Sequence, residues 1–347
     1  MFPPAMQPNN NHAHRVPIAR RHFWIASFCL TGALAACGCT SIKVGLGARV
    51  PLEKAMVTSM TAKLAAGTGI APGQKAALLV AFTQPDGKVL LTESKGGGKV
   101  MWKDLNVVAT VVDVNEKGVL SLREDPRFSE GKIGHVIITA PSHPDLRTEL
   151  DIPIRYDAAY VANFSGRNGW DGSSGLDGTN GTSGSTGSMD PNNPSPGGDG
   201  GNGSDGSNGK DGDAGGNAPN VLVRVGVRPG DHPILEVSVT AAGEDKFFLV
   251  DPQGGSLTVK ADGGRGGSGG RGGRGGKGGS GGMGTPSGRN GLDGHDGRNG
   301  FAGSNGRGGS IRVAYDPQAK PYLDVIHLSN WNGPPPTFLE EAVAQLW

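Results

Sequence analysis

A mainly β fold with a bundle of glycine-rich helices set into it is what this sequence predicts, on three observations. Short runs of alternating apolar residues between Asp-Gly and Asn/Gly turn signals fill 50–163 and recur in 220–262 and 310–330. Glycine supplies 62 of 347 residues, and 42 of those lie in four tracts, 166–187, 197–216, 263–284 and 288–309. Within each tract Gly returns every third residue, and the four tracts are nearly equal in length. The rest of the chain has an ordinary Gly content, so the sequence reads as a conventional β protein carrying four insertions.

The first β region justifies itself element by element. Runs 77–82 and 89–92 flank Asp86-Gly87, a hairpin signal. Runs 107–114 and 119–122 flank Asn115-Glu116-Lys117-Gly118, and 135–139 and 149–156 follow at the spacing of a β-sandwich. In the second region Val221, Val223, Val225 and Val227 alternate with polar or small residues. Runs 234–240, 247–250 and 257–260 extend this into a meander, and 311–315 returns after the last tract. At the end, Thr337-Phe338-Leu339-Glu340 reads as a capping box opening a short helix to Trp347, with Leu339, Val343 and Leu346 on one face.

A glycine period of three fits either collagen or polyglycine II. Collagen needs Pro to hold each chain extended, and none of the 24 Pro lies in a tract. Polyglycine II has three residues per turn, so Gly at every third position forms a smooth ridge along which neighbouring rods approach and pair their backbones. Such ridges are Gly166, Gly169 and Gly172; Gly200, Gly203 and Gly206; Gly266, Gly269 and Gly272; and Gly291, Gly294 and Gly297. The connections 188–196 and 285–287 are turn chemistry, so each pair of tracts reads as an out-and-back excursion from a strand. A flexible linker is the rival reading. The third tract, with Gly doubled in successive triplets, belongs at the centre of a bundle. The first and fourth, carrying Trp170, Leu176, Leu292 and Phe301, belong at its edge.

Two resemblances follow from these residues. In period and composition the tracts resemble the glycine-rich cores of snow-flea antifreeze proteins and certain phage tail-fibre adhesins. Ile70-Ala71-Pro72-Gly73-Gln74 before an apolar strand resembles the opening of bacterial immunoglobulin-like domains, which implies that type of sandwich.

The N-terminus carries an address. Arg15, Arg20 and Arg21 precede an apolar run, 23–36, too short to span a bilayer and ending in small residues. Leu34-Ala35-Ala36-Cys37 resembles the lipobox of bacterial lipoproteins. That resemblance implies cleavage before Cys37, a diacylglycerol anchor on its thiol and, with Gly38 rather than Asp next, the outer membrane. The expected organisation is 1–36 signal peptide, 37–49 lipidated tether, 50–163 β-sandwich and 164–219 first two tracts. Then come 220–262 β-meander, 263–309 last two tracts and 310–347 closing strand, tail and short helix.

Chemistry is thin. Gly-x-Ser-x-Gly around Ser268 and Ser280 lacks the strand-turn-helix context of a nucleophile elbow, and repeated G-x-G-x-x-G follows from the period alone. No catalytic residue or cofactor is assigned. Asp205, Asp211 and Asp213 are candidates for Ca²⁺, set against the plainer reading of a solvated face. Arg265, Arg271, Arg274 and Lys277 form a basic ridge like an RGG box. The near-zero net charge of +1 and the export signal argue against nucleic acid. With Trp170 and Phe301 these are the candidate interaction residues. The expectation is an envelope lipoprotein with a structural or adhesin-like surface role, its partner an envelope polysaccharide or surface protein. It is expected as a monomer. A polysaccharide- or ice-binding lipoprotein and a collagen-like trimer are the alternatives.

Overall fold

In a computed structural model of the protein, Gly47, residues 49–228, Gly230 and residues 232–347 are described. Arg49–Trp347 form one unit. The chain runs through β1 (Ser59–Leu64), β2 (Lys75–Thr83), β3 (Val89–Leu91), β4 (Asn106–Thr110), β5 (Asp113–Val114), β6 (Val119–Ser121), β7 (Gly134–Ala140) and β8 (His143–Ile152). One sheet has the order β1-β2-β6-β5 with β3 beside β2, and a second has β4-β7-β8. Phe82, Leu78 and Val80 from the first meet Val136, Ile138 and Ile152 from the second in one buried core, as strand alternation requires. Gly118 turns with φ of 68°, and a side chain there would enter the ring of buried Trp102. The run 107–114 divides: Val111 takes φ of 69°, and the chain crosses from one sheet to the other.

A second two-layer unit follows, built from β9 (Ala159–Asn163), β10 (Val221–Arg228), β11 (Ile234–Ala241), β12 (Glu244–Val250), β13 (Ser256–Lys260), β14 (Ile311–Tyr315), β15 (Ile326–Ser329) and β16 (Thr337–Glu340). Its sheets are β12-β11-β10-β14-β16 and β15-β13-β9. Val223, Val225, Val237 and Val239 of the larger sheet are fully buried against Leu257 and Val259 of the smaller. Burial of this kind stabilises by roughly 1.5–3 kcal/mol per side chain. Two expectations change here. Residues 159–163 leave the first sandwich, and 256–260 leave the meander, because the two segments pair in parallel with each other as the second layer.

That pairing governs everything above it. β9 and β13 are parallel at an offset of 97 residues, Ala159 facing Ser256, and β10 and β14 are parallel at 90, Val221 facing Ile311. β9 and β13 lead into the first and third glycine tracts, and the second and fourth tracts lead into β10 and β14. The sandwich therefore sets the lateral order and register of the tracts.

The expected C-terminal helix is absent. Thr337–Glu340 instead extend the larger sheet in parallel beside β14, Arg312 facing Thr337. An open sheet edge satisfies this backbone, whereas a short helix after Pro334-Pro335-Pro336 has little to nucleate it. The Glu340 carboxylate accepts from Lys320 Nζ at 2.8 Å and Tyr315 Oη at 3.2 Å, so it does not close a capping box. Beyond it, Trp347 packs edge-on to Phe247 and donates its indole N–H to Glu130 of the first sandwich at 2.7 Å.

Candidate functional site

The tracts form four rods, here rod 1 (166–187), rod 2 (197–216), rod 3 (263–284) and rod 4 (288–309). Their backbone bonds recur at every third residue, the repeat of polyglycine II. Rods 1 and 3 are parallel, Gly169 donating to Arg265 O at 2.7 Å, as are rods 2 and 4, Gly203 donating to Leu292 O at 2.9 Å. Rod 2 also donates antiparallel to rod 1, rod 3 to rod 2, and rod 4 to rod 3. Rods 1 and 4 share no such bond, so the cross-section is a rhombus with rods 2 and 3 on its short diagonal.

Rod 3 is central, as its doubled Gly predicts. The ridge from Gly264 to Gly282 is buried along its whole length. A Cβ on Gly267 or Gly273 would strike the carbonyls of Trp170 or Leu176 in rod 1. On the second ridge, a Cβ on Gly266 or Gly272 would strike Gly303 or Gly297 of rod 4. Rod 2 shares the centre with only a broken second Gly ridge. There Ser204 and Ser207 replace Gly and accept from the backbone N–H of Thr179 and Leu176 at 2.8 and 2.7 Å.

The Asn and Asp residues ahead of the glycines have a role that composition concealed. Asn202 Oδ1 accepts from Leu292 N at 2.8 Å while the next residue, Gly203, donates to Leu292 O. One Asx-Gly step thus clamps both polar groups of a single residue on the parallel rod. Asp205 and Asp211 do the same to His295 and Phe301, their Oδ1 atoms lying 2.6 and 2.7 Å from those amides. The Ca²⁺ candidates are therefore spent in part on backbone, while Asp213 bonds rod 1 through its own N–H. No group of three or more His, Cys, Asp or Glu side chains is placed to hold a metal among the described residues. The signal that could have revealed the clamp is the phase of the clamping Asx residues of the rods, each directly before a ridge Gly.

The interaction candidates project from this scaffold. Trp170 and Phe301 are 71% and 79% exposed, and they sit at one level on opposite flanks of rod 2, tied to adjacent residues Asp213 and Gly212. Arg265, Arg271, Arg274 and Lys277 line one ridge of rod 3. Arg265 lies 5.9 Å from the Trp331 ring at the root of the bundle, beside a cleft of about 390 Å³ bordered by Asn168 and Asp262. Cys37, the lipidation candidate, lies outside the described residues. No protein family matches the chain, and no curated protein matches it.

Lys277 Nζ meets Asp293 Oδ2 at 2.7 Å, and the other oxygen of Asp293 accepts from Gly278 N at 2.8 Å. The Lys277 bond chiefly lowers the Asp293 pKa, and the same bond raises that of Lys277. The carboxylate's share is present above its ordinary value and is lost as pH falls through the lowered one. The ammonium's share is present below its ordinary value and is lost as pH rises through the raised one. Asp293→Asn keeps the backbone acceptor and should melt near wild type, its small deficit vanishing in acid and in high salt. Asp293→Ala loses both roles and should melt measurably lower at every pH. Identical melting of the two variants would assign Asp293 to the ion pair alone.

Proposed function

We propose that the protein is a lipid-anchored component of a bacterial cell envelope, with a structural or adhesin-like role. Cys37 carries the anchor, the two β units serve as spacer, and the bundle is the presenting element. The presenting role is carried by the closure of the four rods on one another within a single chain, in continuous register with the sandwich, and the anchor rests on the Leu34-Ala35-Ala36-Cys37 sequence. At ~3.1 Å per residue such rods extend about 65 Å, giving a stiff, polar projection that ends in the turns 188–196 and 285–287. The ridge Gly N–H groups that a collagen-like trimer would use between chains are engaged within one chain, which favours a monomer. No helix among the described residues is long and apolar enough to cross a membrane. Labelling with radioactive palmitate tests the anchor: wild type should incorporate it, and Cys37→Ser should not. A wild-type protein that takes up no palmitate would end the lipoprotein reading.

Polysaccharide binding is the second reading, favoured by the shared level of exposed Trp170 and Phe301. Stacking on sugar faces is the chemistry those rings offer.

A further inference from the structure

The four rods contain a chemical liability, and the same geometry answers it. Asn-Gly and Asp-Gly are the sequences most prone to succinimide formation, because Gly has no side chain to hinder its own amide nitrogen. That nitrogen gives up its proton and attacks the side-chain Cγ. The Cγ–N bond of Asn breaks and ammonia leaves, or water leaves from Asp. One water then opens the imide at either carbonyl, giving Asp or isoaspartate.

The rods hold fourteen such steps, and each is held in the same way. The attacking group, the Gly N–H, donates to a carbonyl of a neighbouring rod in every case. The group under attack is pinned as well, since its Oδ1 accepts a backbone N–H from a neighbouring rod. At Asn208-Gly209, for example, Arg298 N donates to Oδ1 at 2.8 Å and Gly209 N donates to Arg298 O at 2.8 Å. Nucleophile and electrophile are tied to a second chain segment, and neither can turn toward the other until the seam opens.

We propose that these fourteen Asx-Gly steps are latent isoaspartate sites that bundle formation switches off. In the unfolded chain they react at the rate of free Asn-Gly and Asp-Gly peptides. Reaction at any one of them removes the rod from the bundle. Isoaspartate adds a methylene to the main chain, so every Gly beyond it leaves the three-residue phase that the neighbouring rods require. Unfolding of the bundle therefore becomes irreversible with time, through covalent change in the chain itself.

The test compares the full chain in native buffer with the same chain in urea, both at mildly alkaline pH, followed by tryptic mapping and isoaspartate methylation. Two hydrogen bonds must open before attack, so native sites should react more than about tenfold slower than unfolded ones. The fraction carrying isoaspartate should fail to regain native unfolding behaviour after dilution from urea. Equal rates in the two samples, or slow reaction in both, would overturn the proposal. Gly272→Val provides a second arm, because it separates rods 3 and 4 where Asn299 Oδ1 meets Gly272 N at 2.9 Å. Isoaspartate should then rise at Asn299-Gly300 ahead of Asn180-Gly181 on the seam of rods 1 and 3, or at all fourteen steps if the bundle dissolves. A folded variant in which Asn299 remains inert would count against the mechanism.

Discussion

Valine at Gly272 or Gly273 is expected to cost roughly 3–5 kcal/mol, whereas alanine at Arg274 should cost less than ~0.5 kcal/mol. The three residues are consecutive on one rod, yet Gly273 is buried, Gly272 half-buried and Arg274 exposed. At Gly273 a side chain would occupy the position of the Leu176 carbonyl, and at Gly272 that of the Gly297 carbonyl. Both obstacles are backbone, which cannot rotate away. The rods must part: at Gly273 the bonds of Gly175 to Arg271 O and Gly178 to Arg274 O are lost, and at Gly272 that of Gly297 to Gly273 O. Arg274 contributes its main chain to the seam, its amide lying 2.7 Å from Asp177 Oδ1, and alanine keeps that amide. Thermal and urea unfolding of the full chain decide the matter. An equal response at Gly273 and Arg274 would remove rod 3 from the interior.

Deletion has the next largest expected effect, and its outcome depends on symmetry. Replacing 166–217 and 263–308 together by short turns should leave the two β units with a cooperative transition. The core of Val223, Val237, Leu257 and their neighbours lies wholly below the rods. Replacing 263–308 alone should be worse for what remains. Rods 1 and 2 would retain only the seam between themselves, and the Gly amides of rod 1 would lose every carbonyl of rod 3. Those rods should become protease-sensitive over their full length while the sandwich persists. If the double deletion abolishes cooperative unfolding, the bundle is part of the folding core.

How far the sequence foretold this structure differs from element to element. The doubled Gly of rod 3 was readable because clash with a carbonyl is absolute, and two such seams demand two ridges. Rod 2 was not readable as central, because its seam with rod 1 tolerates a Cβ. At Gly201 an added Cβ would meet Thr182 Oγ1, N and O at 3.0, 3.2 and 3.6 Å, far looser than the carbonyl clashes of rod 3, and Ser204 and Ser207 use that room. The helix expected from Thr337 failed because local capping chemistry competed with an unpaired edge of β14, which lies nearby only in the folded chain. The parallel partnership of β9 and β13 was hidden for a similar reason, since 97 residues separate the partners. The interaction residues Trp170 and Phe301 were visible as bulky exceptions in a small-residue tract, but their common level required the register of rod 2.

The constant offsets of 97 and 90 carry a consequence for how such a molecule can change length. Any level of the bundle contains one triplet from each rod, and each triplet completes bonds for its neighbours. A rod longer than the others would extend past its partners with open backbone. A rod shorter than the others would strand theirs. Descent with insertion or deletion must therefore alter both distal turns at once, adding or removing a matching triplet on each arm. The projection grows or shrinks by whole storeys of about 9.3 Å, and no intermediate height is available to it.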